Sequence, residues 1–206
     1  MTDRQSLGFW KTELRGRQRV LFTDDNLLAA GETLKLEATG GPEVMLSVFP
    51  DFADGLGPIT GGELVGTEDD GLFKTYRLQA PAKEIPFTYK KTRDERAVLA
   101  FSPGAFDGLK EALLQIECSG DIGYAFIDGE LIHDHFCNST IWEIGLKRWE
   151  ERLLEQGMYL YVSPVRKGVV VNSNTTMAGW NETAAEQIAD IGSLNIVPVY
   201  ELVIGG

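Results

Sequence analysis

Residues 120–165 read GDIGYAFIDGELIHDHFCNSTIWEIGLKRWEERLLEQGMYLYVSPV, and the fold follows from how this stretch is paired. A β-branched and aromatic run, 122–127, meets a returning run, 130–136, across Asp128-Gly129. Asp-Gly suits a two-residue type I′ turn, because both central residues take positive φ, which Gly adopts freely and Asp tolerates. A regular ladder through that turn puts Ile122, Tyr124, Phe126, Leu131, His133 and His135 on one face. Ala125, Ile127, Glu130, Ile132, Asp134 and Phe136 then share the other. Large apolar groups on both faces place the hairpin in a two-layer β structure rather than on a one-sided sheet. Beyond it, Trp142, Ile144 and Leu146 alternate as a buried strand face. Residues 147–156 predict a helix of a few turns ended by Gly157, and 158–162 a strong strand before Pro164.

The same short-strand rhythm continues outward. Residues 9–14, 19–22, 33–38, 44–49, 73–79, 87–91, 97–101 and 112–118 predict strands, with turn chemistry at Asp24-Asp25-Asn26 and Thr39-Gly40-Gly41-Pro42. Between two of them, 50–71 is rich in Gly, Pro and acid without periodicity, which predicts a long exposed loop or a boundary. Toward the end, 169–171 predicts a strand, 172–179 a loop, 183–191 a second short helix, and 194–204 a closing strand in which Pro198 marks an edge or bulge. The expected fold is all-β: an antiparallel jelly-roll β-sandwich over 81–206, preceded by a smaller β-rich portion over 1–80, with one or two short helices.

With 43% hydrophobic and 24% charged residues, the 206-residue chain can bury an ordinary core. A net charge of −12 opposes binding to nucleic acid, whose phosphates require a basic surface, and to anionic membranes. No apolar run approaches the ~20 residues of a membrane-spanning helix. The start, MTDRQSLGFW, has no apolar h-region, so the expected location is cytoplasmic. Two cysteines, Cys118 and Cys137, are too few for a disulfide framework and read as buried or half-buried free thiols rather than a bridge.

His133-Asp134-His135 is the sharpest local chemical feature. Two imidazoles two residues apart on a strand share a face and suit a metal, with Glu143 as the candidate carboxylate of a cupin-like site. No third His exists in the chain, and Glu143 lies eight residues past His135, so polar residues at a sheet end are the stronger reading. Asp51, Asp54, Glu68, Asp69 and Asp70 lack calcium-loop spacing and read as a solvated acidic loop. The 31 acidic residues guarantee a carboxylate pair somewhere, but glycoside hydrolysis on a (β/α)₈ barrel needs ~250 residues of alternating strand and helix. No catalytic residue is assigned and no cofactor is called for. Carbohydrate binding remains, since aromatic faces take the apolar side of a sugar and polar groups its hydroxyls. The candidates are Asp134, His135, Asn138, Trp149 and Trp180, beside Tyr124 and Trp142.

The order of pieces here resembles the sugar-binding jelly-roll domain of glycoside hydrolase families 2 and 35, the β-galactosidase and β-glucuronidase relatives. The matching segments are Ala125-Phe126-Ile127-Asp128-Gly129, the return 131–136, 138–140, Trp142-Glu143-Ile144-Gly145-Leu146, and 153–162. A C-terminal segment of bacterial family 35-type proteins is the nearer likeness. Asp128 stands where Asn is usual, and Ser139-Thr140-Ile141 where a Gly-Thr-Pro bend is usual. The resemblance covers about a quarter of the chain. It implies a galactose-binding-like fold and an accessory role beside a catalytic glycoside hydrolase domain or within a homo-oligomer, with weak contact to carbohydrate.

Overall fold

The computed structural model describes residues 8–166 and 187–205. The strand expected at 169–171, the loop at 172–179 and Trp180 lie outside the described residues. Eight strands come first: β1 (Phe9–Leu14), β2 (Arg17–Phe22), β3 (Asn26–Ala30), β4 (Thr33–Thr39), β5 (Glu43–Phe49), β6 (Ile59–Thr60), β7 (Glu63–Asp70) and β8 (Phe73–Gln79). Then follow β9 (Phe87–Arg93), β10 (Arg96–Phe101), β11 (Glu111–Ser119), β12 (Ile122–Ile127), β13 (Glu130–Phe136) and β14 (Trp142–Gly145). A 3₁₀ turn at Lys147–Trp149 leads into helix α1 (Glu150–Gln156), and β15 (Met158–Val162), β16 (Val165–Arg166), β17 (Gln187–Ile188) and β18 (Asp190–Ile204) complete the chain. The protein is an all-β antiparallel sandwich, as expected.

Two compact units divide it: Met1–Lys83 with Gly108–Lys110 and Pro198–Gly206, and Glu84–Asp107 with Glu111–Val197. The boundary expected at residue 80 lies three residues before the end of the segment Met1–Lys83, with which Pro198–Gly206 groups. The reason is strand β18, which starts in the second unit and ends in the first.

The first unit has a sheet in the order β1-β2-β5-β8-β7. Opposite it, the end of β18 pairs with β4 from Val199↔Thr39 to Ile204↔Leu34, and β4 pairs with β3. Alternation delivers Leu34, Leu36 and Ala38 of β4, Val44, Leu46 and Val48 of β5, Leu78 of β8 and Leu202 of β18 to the core. Each of these Leu and Val side chains contributes about 1.5–3 kcal/mol on burial. Residues 63–70, expected as loop, form β7 instead. This edge strand is exposed along its length, so it carries no hydrophobic alternation. It is held by its ladder to β8 and by Asp69–Lys74 (2.8 Å) and Glu68–Arg77 ion pairs.

The second unit has one sheet ordered β13-β12-β15-β10-β9, and β14-β11-β18 in the other. Strands β10 and β15, β11 and β14, and β12 and β13 pair as nested antiparallel couples, which is the winding of a jelly roll. Its core holds Leu99, Phe106, Leu114, Ile116, Ile127, Trp142, Leu153, Leu160 and Val162. Helix α1 stops at Gly157 (φ 68°), where a Cβ would strike the carbonyl oxygen of Leu99. The helix expected at 183–191 is corrected where described: 187–188 and 190–191 are strand. There Ile191 donates its N–H to Asp94 O (2.8 Å) and is fully buried, while Asp190 pairs with Lys91 (2.6 Å), so tertiary pairing fixes these residues as strand. Among the described residues no helix is long and apolar enough to cross a membrane.

Candidate functional site

The central hairpin forms across Asp128 (φ 49°) and Gly129 (φ 76°), the signs a type I′ turn requires. Its register then departs from the regular ladder. Ile127↔Glu130 and Phe126↔Leu131 are followed by Ala125↔His133, Tyr124↔Asp134 and Gly123↔His135, with a shift between Ala125 and Phe126. Ile132 is the extra residue, a β-bulge, and one residue of slip turns every later side chain to the other face. His133 and His135 therefore join buried Gly123 and Ala125 on the inner side, and Asp134 joins Tyr124 outside. The face assignment read from a regular ladder is corrected accordingly.

On the inner side the two histidines serve Trp142, whose side chain is 0% exposed. Trp142 Nε1–H donates to His133 Nδ1 at 3.1 Å, and the His135 ring lies within 5° of parallel to the indole, centroids 6.0 Å apart. Gly123 makes room, since a Cβ there would sit 2.7 Å from the indole ring. Burial lowers the pKa of His135 below the ordinary imidazole value. The His133 lone pair a metal would need is thus occupied by a donor. Glu143 accepts from Gln115 Nε2 (3.0 Å) on the exposed face of β14, opposite Trp142. Among the described residues no group of three or more His, Cys, Asp or Glu is placed to hold a metal ion, so the His133, His135, Glu143 alternative is not assembled.

The carbohydrate candidates scatter. Asn138 Oδ1 accepts from Thr140 N (3.2 Å) and Oγ1 (2.6 Å), and Thr140 Oγ1 lies 3.5 Å from His135 Nε2, so His135 and Asn138 meet where β13 ends. Trp149 stands at the other end of the hairpin. Arg148 and Arg152 lie over its ring at 4.6 and 5.5 Å, and Arg152 also binds Ile127 O (3.1 Å) and Glu130 (2.8 Å). Glu130 and His135 are five strand residues apart, about 17 Å. Asp134 faces outward, away from His135.

On that outer face Asp134 and Tyr124, both named from the sequence, join Tyr161, Arg96, Phe126 and Tyr159, which the sequence reading missed. Cross-strand partners form one row, Asp134, Tyr124, Tyr161 and Arg96, and a second, Leu131, Phe126, Tyr159, Val98 and Lys90. Tyr124 and Tyr161 stack at 6.1 Å and 13°, Phe126 and Tyr159 lie 6.1 Å apart, and Arg96 reaches over Tyr161 at 5.5 Å. The signal was present in Met158-Tyr-Leu-Tyr-Val162. Met158, Leu160 and Val162 are buried, which turns both tyrosines out.

The first unit has an aromatic outer face of another kind. Phe9 and Phe22 are 4.7 Å apart at 37°, Phe9 and Phe73 6.4 Å at 63°, Phe49 and Phe73 6.0 Å at 60°. Beside them opens a groove of about 700 Å³ lined by Asp24, Asp25, Glu43, Glu68, Asp69 and Asp70, among others. Burial, then the charge of Asp24, raises the Asp25 carboxyl to about 6. No family model, curated protein or solved structure matches the chain. The chemistry of these surfaces therefore carries the functional reading.

Proposed function

We propose that the chain is a non-catalytic accessory module of a β-galactosidase-type glycoside hydrolase, and that it contacts carbohydrate through the outer face of the second unit. The observation that carries this reading is the row Asp134, Tyr124, Tyr161, Arg96. A pyranose offers an apolar C–H face to an aromatic ring and hydroxyls to a carboxylate or guanidinium. Two nearly parallel tyrosine rings between Asp134 and Arg96 supply both, over a length that suits more than one sugar. Asp134 is the one carboxylate in the two rows, whereas cleavage requires a pair about 5–10 Å apart, so the face suits binding rather than hydrolysis. The jelly-roll winding of the second unit is in keeping with the family 35-type resemblance.

Calorimetric titration with β-galactosyl and β-glucosyl oligosaccharides tests it. Binding in the millimolar range or tighter, weakened about tenfold by Tyr161→Ala and unchanged by Trp149→Ala, supports the reading; a tenfold loss corresponds to about 1.4 kcal/mol. No binding to any oligosaccharide, or binding indifferent to Tyr161→Ala, overturns it. A coding region continuing into, or lying beside, a (β/α)₈ hydrolase supports the accessory role, and its absence leaves a free-standing carbohydrate-binding protein.

A further inference from the structure

The two cysteines lie 19 positions apart in sequence, with the whole central hairpin between them. Strand β11 ends just past Cys118, and the chain bends through Gly120 and Asp121 into β12. Strand β13 then returns it, so that Cys137 N donates to Asp121 O at 3.0 Å. The hairpin's entry and exit are thereby fixed side by side. Both residues are half-buried and both thiols free, as the sequence predicts, and the two Sγ atoms lie 2.8 Å apart. A disulfide has its sulfurs ~2.05 Å apart, so about 0.8 Å of closure separates this pair from a covalent bond. Nothing in the spacing of the two residues along the chain announces that contact.

We propose that Cys118 and Cys137 are a modification site, oxidised to an intramolecular disulfide by exchange with a small-molecule disulfide of the oxidised-glutathione class. In the first step the thiolate of one cysteine attacks one sulfur of the oxidant, forms a mixed disulfide and expels one thiolate. The other cysteine then gives its proton to solvent and attacks the protein sulfur of the mixed disulfide, and the second thiolate leaves. Two protein thiols are oxidised to one disulfide, and one small disulfide is reduced to two thiols, so atoms and electrons balance. The contact between the sulfurs favours a thiolate on one of them and holds the second sulfur within reach of the mixed disulfide. The product staples the end of β11 to the residue that follows β13, independently of any sugar.

The test uses the full chain, reduced and then incubated with oxidised glutathione, followed by intact mass and a non-reducing peptide map. The expected result is loss of two hydrogens, a cross-linked peptide joining Cys118 to Cys137, and a Tm higher by something on the order of 5–10 °C that dithiothreitol reverses. Cys137→Ser and Cys118→Ser should each retain a single glutathione adduct on the remaining thiol and form no cross-linked peptide. Two separate adducts on the unsubstituted chain, intermolecular dimers, or thiols left unreacted would overturn the site.

Discussion

Each unit turns aromatic rings outward from one sheet, but the two faces are built differently. Phe9, Phe22, Phe49 and Phe73 tilt 37–63° against one another, so their edges and faces are spent on each other. Tyr124 and Tyr161 lie within 13° of parallel, keep hydroxyls at their tips, and end on a carboxylate and a guanidinium. A phenyl cluster that packs on itself stabilises its own sheet. On the reading proposed above, the tyrosine row with its charged ends is where a ligand lies. What flanks the rings distinguishes the two faces more than tilt does, since Phe126 and Tyr159 on the tyrosine face also lie at 39°.

The largest expected effect lies beneath the tyrosine face. Trp142→Ala removes a fully buried indole together with its bond to His133, and should lower the stability of the second unit by about 3–5 kcal/mol in denaturant melts followed by tyrosine-face fluorescence. A smaller loss would mean that the inner packing does not support the outer row. Tyr161→Ala comes next: about tenfold weaker oligosaccharide binding with folding stability changed by less than about 1 kcal/mol. On the phenyl face the balance is reversed. Phe49→Ser, at a ring 39% exposed, should cost about 1 kcal/mol of stability and leave oligosaccharide binding untouched. Equal effects of Tyr161→Ala and Phe49→Ser on binding would erase the distinction between the faces.

The smallest effect is a pH dependence beside the phenyl cluster. Asp25 is held near 6 in the folded chain against about 3.9 when unfolded, so the folded form binds its proton more tightly. That contribution is full below about pH 4 and is lost as pH rises through about 6. Solvent screening at this half-buried group keeps it under about 1 kcal/mol. Asp25→Asn should flatten the stability profile between pH 4 and 6, and an unchanged slope would assign it to other carboxylates.

Strands with strict alternation are legible in the order of residues alone. Val44, Leu46 and Val48, or Met158, Leu160 and Val162, announce one buried face and therefore a strand. Strand β7 is illegible for the converse reason: Glu63–Asp70 is an edge exposed on both sides, and its acids satisfy Lys74 and Arg77 rather than a core. The hairpin is half legible. Asp128-Gly129 specifies the turn, but nothing local marks Ile132 as a bulge. That single residue decides whether His133 and His135 are an open pair or the packing around Trp142. Asn138 and His135 do meet, while Trp149 lies the length of a strand away, a separation that linear proximity conceals.

Strand β18 has a consequence for how the chain comes into being. The first unit is built mostly from residues up to Lys83, yet its second sheet lacks a member until Val199–Ile204 have been made. The second unit waits on the same strand, whose first half belongs to it, so neither is complete before β18 has been made. A single cut within that strand would take a part from both at once, which makes β18 the last place to truncate.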